Sequence, residues 1–388
     1  MDNKIKTALE YIKPDEEQKE RMLKNILENK KGKSISIGRL SAIAASIVII
    51  ISSLFIRNYM DRKDEPPTTP DIHTPPAVDE NLPKIQFKLS ANGMGYFSIM
   101  LYNREELITN NPWSEDMDID TLPVFRNTLP TELMELDDYI SREKKDELAQ
   151  NIAKILGVNI IETDEAHTSY KCDRGISISI WPDLSASIYW DEPVKLPNMD
   201  IEDEYQRQVY YLRYYYELYE DLFNFQEPAF EVVYDYSFQG DKHYSHYVYD
   251  KKGIDQEKIL NYSFNRASFG FSEETNGLHV IHLPSIYEYE KIGDYPIIPV
   301  EEAISNILKG DYLTTVPYDE NISREDIVKI ELEYYVSPYS EYFQPVYKAY
   351  IELENDRQEN GLITYGIYYT PAVKREYVDI IVDEVYFN

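Results

Sequence analysis

The stretch GISISIWPDLSASIYW, residues 175–190, decides the predicted fold class. Apolar and polar residues alternate on both sides of the segment PDLS at 182–185, as in two antiparallel strands that each bury one face. Proline, aspartate and serine are common in turns, so this segment is predicted to connect the two strands. The stretch therefore predicts a β-hairpin.

A helix is predicted directly before this hairpin, over residues 136–159. Apolar residues recur at helical spacing from Leu148 to Leu156, and Gly157 then supplies a C-terminal stop. The order of one helix followed by short strands returns twice along the chain. The later helices and strands are predicted at residues 201–225, 229–238, 243–250, 265–272, 277–284, 299–310, 326–336, 344–354 and 361–371.

Repetition of a helix followed by an antiparallel meander predicts the α+β class. The predicted boundaries give a first outer unit at 84–200, a middle unit at 201–290 and a C-terminal unit at 291–388.

An uncharged, mostly apolar run extends from Leu40 to Ile56. With its flanks it reaches about 20 residues, enough to cross a hydrocarbon core of about 30 Å. A cleaved signal peptide is the alternative, but 39 residues precede this run and LFIRNYM ends it, where small residues would be needed for cleavage. The run therefore predicts a single N-terminal transmembrane helix at 40–57.

Basic residues near this run are more numerous before it than after it. Because such residues concentrate on the inner side of a membrane, residues 1–39 are expected in the cytoplasm and the C-terminal bulk outside the cell membrane. Six prolines among residues 62–83 predict an extended, Pro-rich linker at 58–83.

The cytoplasmic tail, residues 1–39, is predicted to be helical, with a second helix beginning at Pro14. On that helix an apolar stripe is formed by Met22, Leu23, Ile26 and Leu27. A short isolated helix is only marginally stable in water, so the stripe is predicted to bind a partner or to lie against the membrane. The alternative is a polar flank of the anchor that has no partner.

Composition restricts the class of partner. The net charge is −31, and such an acidic chain repels nucleic-acid phosphates. Cys172 is the single cysteine, so no disulfide forms within the chain, and it is expected to be a small half-buried side chain. The 36 tyrosines are typical of half-buried strands and indicate a β-rich outer region.

The C-terminal unit resembles a known family. Its phrases are YPIIPVEEAISNILKGDYLTTVP at 295–317, IVKIELEYYV at 327–336, FQPVYKAYIEL at 343–353 and YGIYYTPAV at 365–373. They resemble the outer domains of membrane-anchored Gram-positive regulators of the YycH/YycI and PepSY type, and the LPVF segment at 122–125 looks like a diverged copy. The tail is similar to the inner segments of anti-sigma-type membrane proteins. The resemblance implies PepSY/cystatin-like units and regulation by protein contact.

Three patterns in the sequence resemble parts of binding sites. The pairs His243/His246 and His279/His282 lie in strand-like sequence, where residues three apart face opposite sides, so they predict no zinc site. Asp116, Asp118 and Asp120 lack the glycine and glutamate of an EF-hand loop, which leaves a solvated acidic loop or a weak calcium site.

The segment YYLRYYYELYEDLFNF at 210–225 admits two interpretations. One is a helix packed on a sheet through a stripe of Tyr211, Tyr215, Leu218 and Leu222, and the other is an aromatic platform for glycan or peptide. The packed helix is the favoured interpretation.

Hydrolase, metalloprotease and nucleotide-binding signatures are missing, so no catalytic, metal or cofactor residue is predicted and the chain is not expected to be an enzyme. The predicted function is a single-pass membrane regulatory or sensory protein. Its outer domain binds or senses at the cell surface, and its tail contacts a sigma factor or histidine kinase. The alternative is an anchored extracellular module that binds peptide, glycan or cation, such as a cell-wall ligand, without signalling.

Overall fold

A computed structural model of the chain describes residues 82–89, 98–131, 139–196, 201–272, 275, 277–314, 316, 322–353 and 357–382. Contacts divide the chain into Met1–His73 and Thr74–Asn388, and all described residues belong to the second unit. The predicted tail, the predicted membrane span at 40–57 and most of the predicted linker lie outside the described residues. Within them, no helix is both long enough and apolar enough to span a bilayer.

The described residues form seventeen strands and four α-helices. The strands are β1 Ile85–Leu89, β2 Ser98–Leu101, β3 Thr121–Asn127, β4 Ile160–Thr163, β5 Ser169–Cys172, β6 Ile176–Ile180, β7 Ala186–Val194, β8 Pro228–Tyr236, β9 Lys242–Asp250, β10 Ala267–Phe271, β11 Leu278–Leu283, β12 Tyr289–Pro296, β13 Leu313–Thr314, β14 Ile327–Tyr335, β15 Tyr342–Glu352, β16 Ile363–Pro371 and β17 Val378–Val382. The helices are α1 Arg142–Leu156, α2 Glu204–Leu218, α3 Asp255–Phe264 and α4 Val300–Leu308.

The strands assemble into two large sheets and one small one. Sheet I has the order β4-β5-β6-β7-β11-β10-β9-β8. Sheet II has the order β12-β3-β15-β16-β13, with β14 also paired to β15 and β2 to β16. Strands β1 and β17, from opposite ends of the described chain, form a parallel pair.

The α+β prediction, with its repeated helix-plus-meander units, is wrong. The described fold is mostly β, because the predicted meanders merge instead of forming one sheet each. Strand β7 pairs with β11 to complete sheet I, and β3 pairs with both β12 and β15 in sheet II. Pairing between distant strands therefore replaces a series of separate units.

Local signals in the sequence agree better with the structure. The hairpin predicted from residues 175–190 is β6 and β7, with Ser179 opposite Ser187. Helix α1 begins after Ser141, whose hydroxyl accepts a hydrogen bond from the Lys144 amide at 3.3 Å. It ends at Gly157, which adopts a φ of 69°, so the predicted C-terminal stop is confirmed.

Each large sheet has its own apolar core. Helices α1 and α2 pack on sheet I, where Ile178, Ile188 and Leu212 are fully buried. Helix α3 packs on β14 of sheet II through a second apolar cluster that includes Phe264 and Phe343. Sheet II also carries α4 against β16, and this contact creates the cavity described below.

Candidate functional site

The residues predicted to bind an inner partner, Met22, Leu23, Ile26 and Leu27, lie outside the described residues. The histidine pairs, the three aspartates and the tyrosine segment lie within them.

The two histidine pairs differ in environment. His246 on β9 is buried, and its Nε2 lies 2.9 Å from Gln208 Oε1 of α2. The register of β11 shifts between Leu278 and Val280, and as a result the rings of His279 and His282 both contact the Tyr189 ring. The expectation that these two face opposite sides is therefore wrong, because it assumed an unbroken pleat.

Metal binding receives no support from the described part of the chain, which contains no group of three or more His, Cys, Asp or Glu side chains placed to hold an ion. His282 Nδ1 instead lies 2.8 Å from the buried Ser187 hydroxyl. Asp116, Asp118 and Asp120 are exposed in an irregular segment before β3.

Burial lowers the pKa of His246 to about 3. The unfolded chain protonates this ring near its ordinary pKa of about 6.5, so the unfolded state binds more protons between pH 6.5 and 3 and stability falls as the pH drops. We expect His246 to contribute about 2 kcal/mol to the loss of unfolding free energy between pH 7 and pH 5.

Urea unfolding of the wild type and of His246→Gln at both pH values measures this contribution. The drop in unfolding free energy should be smaller in the variant, whereas the exposed control His279→Gln should keep the wild-type drop. Identical drops in all three proteins would show that His246 is not held neutral by the fold.

The first part of the tyrosine segment, up to Leu218, lies in α2, and the packed-helix interpretation is confirmed for Tyr211 and Tyr215, which are buried against sheet I. Leu218, assigned to the same stripe, is exposed, because the helix ends at this residue. Cys172 is fully buried rather than half-buried, and burial raises the pKa of its thiol.

A cavity of about 150 Å³, here called the α4 cavity, lies between α4, the end of β16 and β17. Its floor is held by backbone hydrogen bonds from the Ile298 amide to the Ala372 carbonyl at 2.8 Å and from the Lys374 amide to the Pro296 carbonyl at 3.0 Å. The buried Tyr347 hydroxyl donates to the Ile298 carbonyl at 2.8 Å. The start of α4 is thus fixed to sheet II at the cavity.

Five polar residues line the α4 cavity: Glu302, Asn306, Asp311, Thr370 and Arg375. Glu302 and Asn306 are four residues apart on α4 and share a face. The charged side chains and Asn306 make no side-chain hydrogen bond or ion pair to any residue that the structure describes. The cavity is therefore lined by one guanidinium, two carboxylates and one amide, and the side chains of Glu302 and Arg375 are exposed to solvent.

Thr370 has the most unusual environment of these five. Its side chain is 0% exposed, and its hydroxyl has no hydrogen-bond partner among the described residues. A buried polar group without a hydrogen-bond partner lowers the free energy of unfolding. Stability therefore does not explain a hydroxyl at this position.

Replacing Thr370 with valine should leave the unfolding free energy unchanged or raise it by up to about 1 kcal/mol, because a methyl group replaces a hydroxyl that has no partner. Thr314 is the matched control, since its hydroxyl donates to the Ile367 carbonyl at 3.0 Å. Thr314→Val should lower the unfolding free energy by about 1–2 kcal/mol, because it removes this hydrogen bond. Equal losses of stability in the two variants, measured by urea unfolding, would contradict this difference.

A second polar cluster lies where α3 and sheet I meet sheet II. This ionic seam consists of three ion pairs: Arg266 with Glu231 at 3.2 Å, Lys329 with Glu331 at 3.1 Å, and Lys348 with Glu333 at 3.4 Å. The three cations balance the three carboxylates. Burial alone would lower the pKa of Lys348, but Glu333 and nearby tyrosines raise it well above its ordinary value.

One short segment connects the carboxylates of the two sheets. The Asn110 amide donates to Glu231 Oε1 at 3.1 Å, and the neighbouring Thr109 hydroxyl donates to Glu331. The groups of the ionic seam are thus paired with one another, and Thr109 and Asn110 link Glu231 of sheet I to Glu331 of sheet II. The α4 cavity, whose charged side chains are not paired with any described residue, is the better candidate for a ligand site.

Sequence reasoning identified the helix and strands around the α4 cavity but not the cavity itself. Its charged residues lie on α4, in the turn after α4 and in the turn after β16, and only the pairing of residues 296–298 with 372–374 brings them together. The one available signal was the recurrence of Glu302 and Asn306 on a single helical face.

Comparison with known proteins does not identify a family for this chain. No family model and no curated protein matches the chain. A solved structure, the Bacillus megaterium YpeB C-terminal domain, aligns with 61% of this chain and 94% of that chain, at 12% sequence identity and a TM-score of 0.28. At that TM-score the likeness supports neither a fold nor a function, and the α4 cavity is the feature from which function is inferred.

Proposed function

We propose that this chain is a membrane-tethered regulatory protein whose folded unit binds a ligand in the α4 cavity and whose tail contacts an inner regulator, a sigma factor or a histidine kinase. The observation that supports it best is the group of charged side chains, Glu302, Asp311 and Arg375, that lines that cavity. A pocket with a few convergent polar groups is the usual place for a ligand.

The membrane location and the inner contact rest on the sequence. The run Leu40–Ile56 separates the basic tail from the acidic folded unit, and the tail presents the stripe from Met22 to Leu27. The resemblance of residues 295–373 to YycH/YycI- and PepSY-type outer domains supports regulation by protein contact. Binding rather than catalysis is proposed, because neither the cavity nor the ionic seam pairs a nucleophile with a base.

The tail contact is tested with Leu23→Asp combined with Ile26→Asp. The double variant should lose crosslinking to the inner regulator and change the signalling output in the native host, because two carboxylates disrupt an apolar contact. The matched control is Gln18→Asp combined with Asn25→Asp, which adds two carboxylates outside the stripe and keeps every basic residue. Unchanged crosslinking and output in the stripe variant would contradict the proposed contact.

A second candidate is an anchored binding module without signalling. It is favoured by the position of the α4 cavity, all of whose lining residues belong to the folded unit. Deletion of residues 1–39 would then leave both ligand binding and the physiological role of the protein unchanged. A role that depends on the tail would reject this candidate.

A further inference from the structure

The two faces of sheet I have different surroundings. Helices α1 and α2 pack on the face that carries Ile178 and Ile188. Successive side chains of a strand point to opposite faces, so Ser179, which follows Ile178, and Ser187, which precedes Ile188, lie on the other face. We call this second face the serine face.

One row of directly opposite residues crosses the serine face. It runs over strands β5, β6, β7, β11 and β10 and consists of Ser169, Ser179, Ser187, His282 and Ser268. Hydroxyls and one imidazole therefore lie side by side, without a carboxylate, an ammonium or a guanidinium group among them. Ser169 and His282 are exposed, and Ser179 and Ser268 are half-buried, so most of the row is accessible to a ligand.

Aromatic side chains form a continuous cluster on the same face. The Trp181 indole N–H donates to the Ser187 hydroxyl at 3.3 Å, and that hydroxyl lies 2.8 Å from His282 Nδ1. The Tyr189 ring packs edge-on against the rings of His279 and His282, with centroid distances of 6.3 and 6.2 Å. Trp181 is 53% exposed and both histidines are exposed, whereas Ser187 is buried. Ser187 therefore orients two rings that remain accessible.

Accessible rings among hydroxyls suit a carbohydrate. The C–H groups of a sugar ring pack on aromatic side chains, and its hydroxyls form hydrogen bonds with serine and neutral histidine, which both donate and accept. The cluster and the row carry no Asp, Glu, Lys or Arg, although the chain as a whole has a net charge of −31. A charged peptide or an anionic lipid surface finds no complementary charge there, whereas a neutral glycan needs none.

The row also restricts the shape of the glycan. Neighbouring strands lie about 4.8 Å apart, so the row offers one side chain at each such interval. This interval is close to the length that one sugar ring adds to an extended β-1,4-linked chain. An α-1,4-linked chain coils instead and does not keep this interval along a straight line.

We propose that the serine face binds an extended, neutral β-1,4-linked glycan that lies across the strands, with sugar rings packed on Trp181 and Tyr189. Hydroxyls of the glycan form hydrogen bonds with Ser179, Ser268 and His282. This site lies on sheet I and the α4 cavity lies on sheet II, so the inference goes beyond the proposed function.

The test is calorimetric titration of the full-length chain, in a detergent without a sugar headgroup, with cellotetraose, chitotetraose and maltotetraose. Cellotetraose and maltotetraose contain the same glucose units and differ only in their β-1,4 and α-1,4 linkages. At least one of the two β-1,4-linked probes should bind at least about tenfold more tightly than maltotetraose. Equal binding of all three, or no binding of either β-1,4-linked probe up to about 10 mM, would overturn the assignment.

Variants locate the bound glycan. Trp181→Ala and Tyr189→Ala should each weaken binding about tenfold or more, because each removes a ring on which a sugar packs. Trp181→Phe keeps a ring and should weaken binding less than Trp181→Ala. The matched controls Phe238→Ala and Tyr339→Ala remove rings that are 61% and 51% exposed in turns outside the serine face, and they should bind like the wild type. Glycan binding that neither cluster variant weakens would overturn the assignment.

A second copy of the chain is the alternative occupant of an open sheet face. Sedimentation velocity of the wild type and of Trp181→Ala tests it. A dimer that Trp181→Ala dissociates, in a protein that binds none of the glycans, would overturn the assignment and make the serine face an interface between copies. Tail-dependent recovery of an inner regulator without glycan binding would also overturn it, and would leave the proposed regulatory role intact.

Discussion

Replacing Arg266 with methionine is expected to lower the free energy of unfolding by about 3 kcal/mol, because it leaves a buried carboxylate without its cation. Arg266 Nη1 lies 3.2 Å from Glu231 Oε2, and the Glu231 side chain is 2% exposed. The guanidinium also donates to the Tyr262 hydroxyl at 3.0 Å and lies over the Tyr247 ring. Urea unfolding of the full-length chain in detergent measures the loss.

Two further variants show whether the loss comes from the ion pair. Arg324→Met removes the exposed pair with Glu301 and should leave the urea midpoint unchanged. Glu231→Gln combined with Arg266→Met should lower the free energy of unfolding by at least about 1 kcal/mol less than the sum of the losses from the two single changes. The reason is that the double variant no longer buries an unpaired carboxylate at residue 231. Additive losses would show that the ionic seam is not an electrostatic unit.

Replacing Phe343 with alanine is expected to lower the free energy of unfolding by about 3–5 kcal/mol, because it opens a cavity in the core between α3 and sheet II. The Phe343 side chain is fully buried, and its ring packs edge-on against Phe264, Tyr287 and Tyr289. A loss of this size is a large fraction of the total stability of a typical domain.

The matched control is Phe238→Ala, which makes the same chemical change at a side chain that is 61% exposed. It should alter the unfolding free energy by less than about 0.5 kcal/mol. Similar urea midpoints for the two alanine variants would mean that the Phe343 ring is not part of a close-packed core.

The fold class could not be predicted from the sequence, because it depends on pairing between strands that are far apart in the chain. Periodicity predicted α1, the β6–β7 hairpin, α4 and the strands of the C-terminal unit, because each of these depends on neighbouring residues. The pairing of β1 with β17 and of β7 with β11 depends on segments far apart in the chain, and no local pattern encodes it. The α+β prediction was wrong because it did not include this long-range strand pairing.

The ionic seam was missed for a related reason. On β14 the residues Lys329, Glu331 and Glu333 alternate with apolar ones, a pattern typical of a strand with one face in water. Packing against α3 and the segment around Asn110 buries this face instead. Charges that appear solvated in the sequence are therefore paired inside the protein.

Crosslinking in the native host, followed by recovery of the full-length chain and of a version lacking residues 1–39, tests the regulatory role most directly. The proposal predicts that a sigma factor or a histidine kinase is recovered with the full-length chain and lost with the shortened one. Recovery of the same envelope partners by both versions, with no cytoplasmic protein in either, would contradict it.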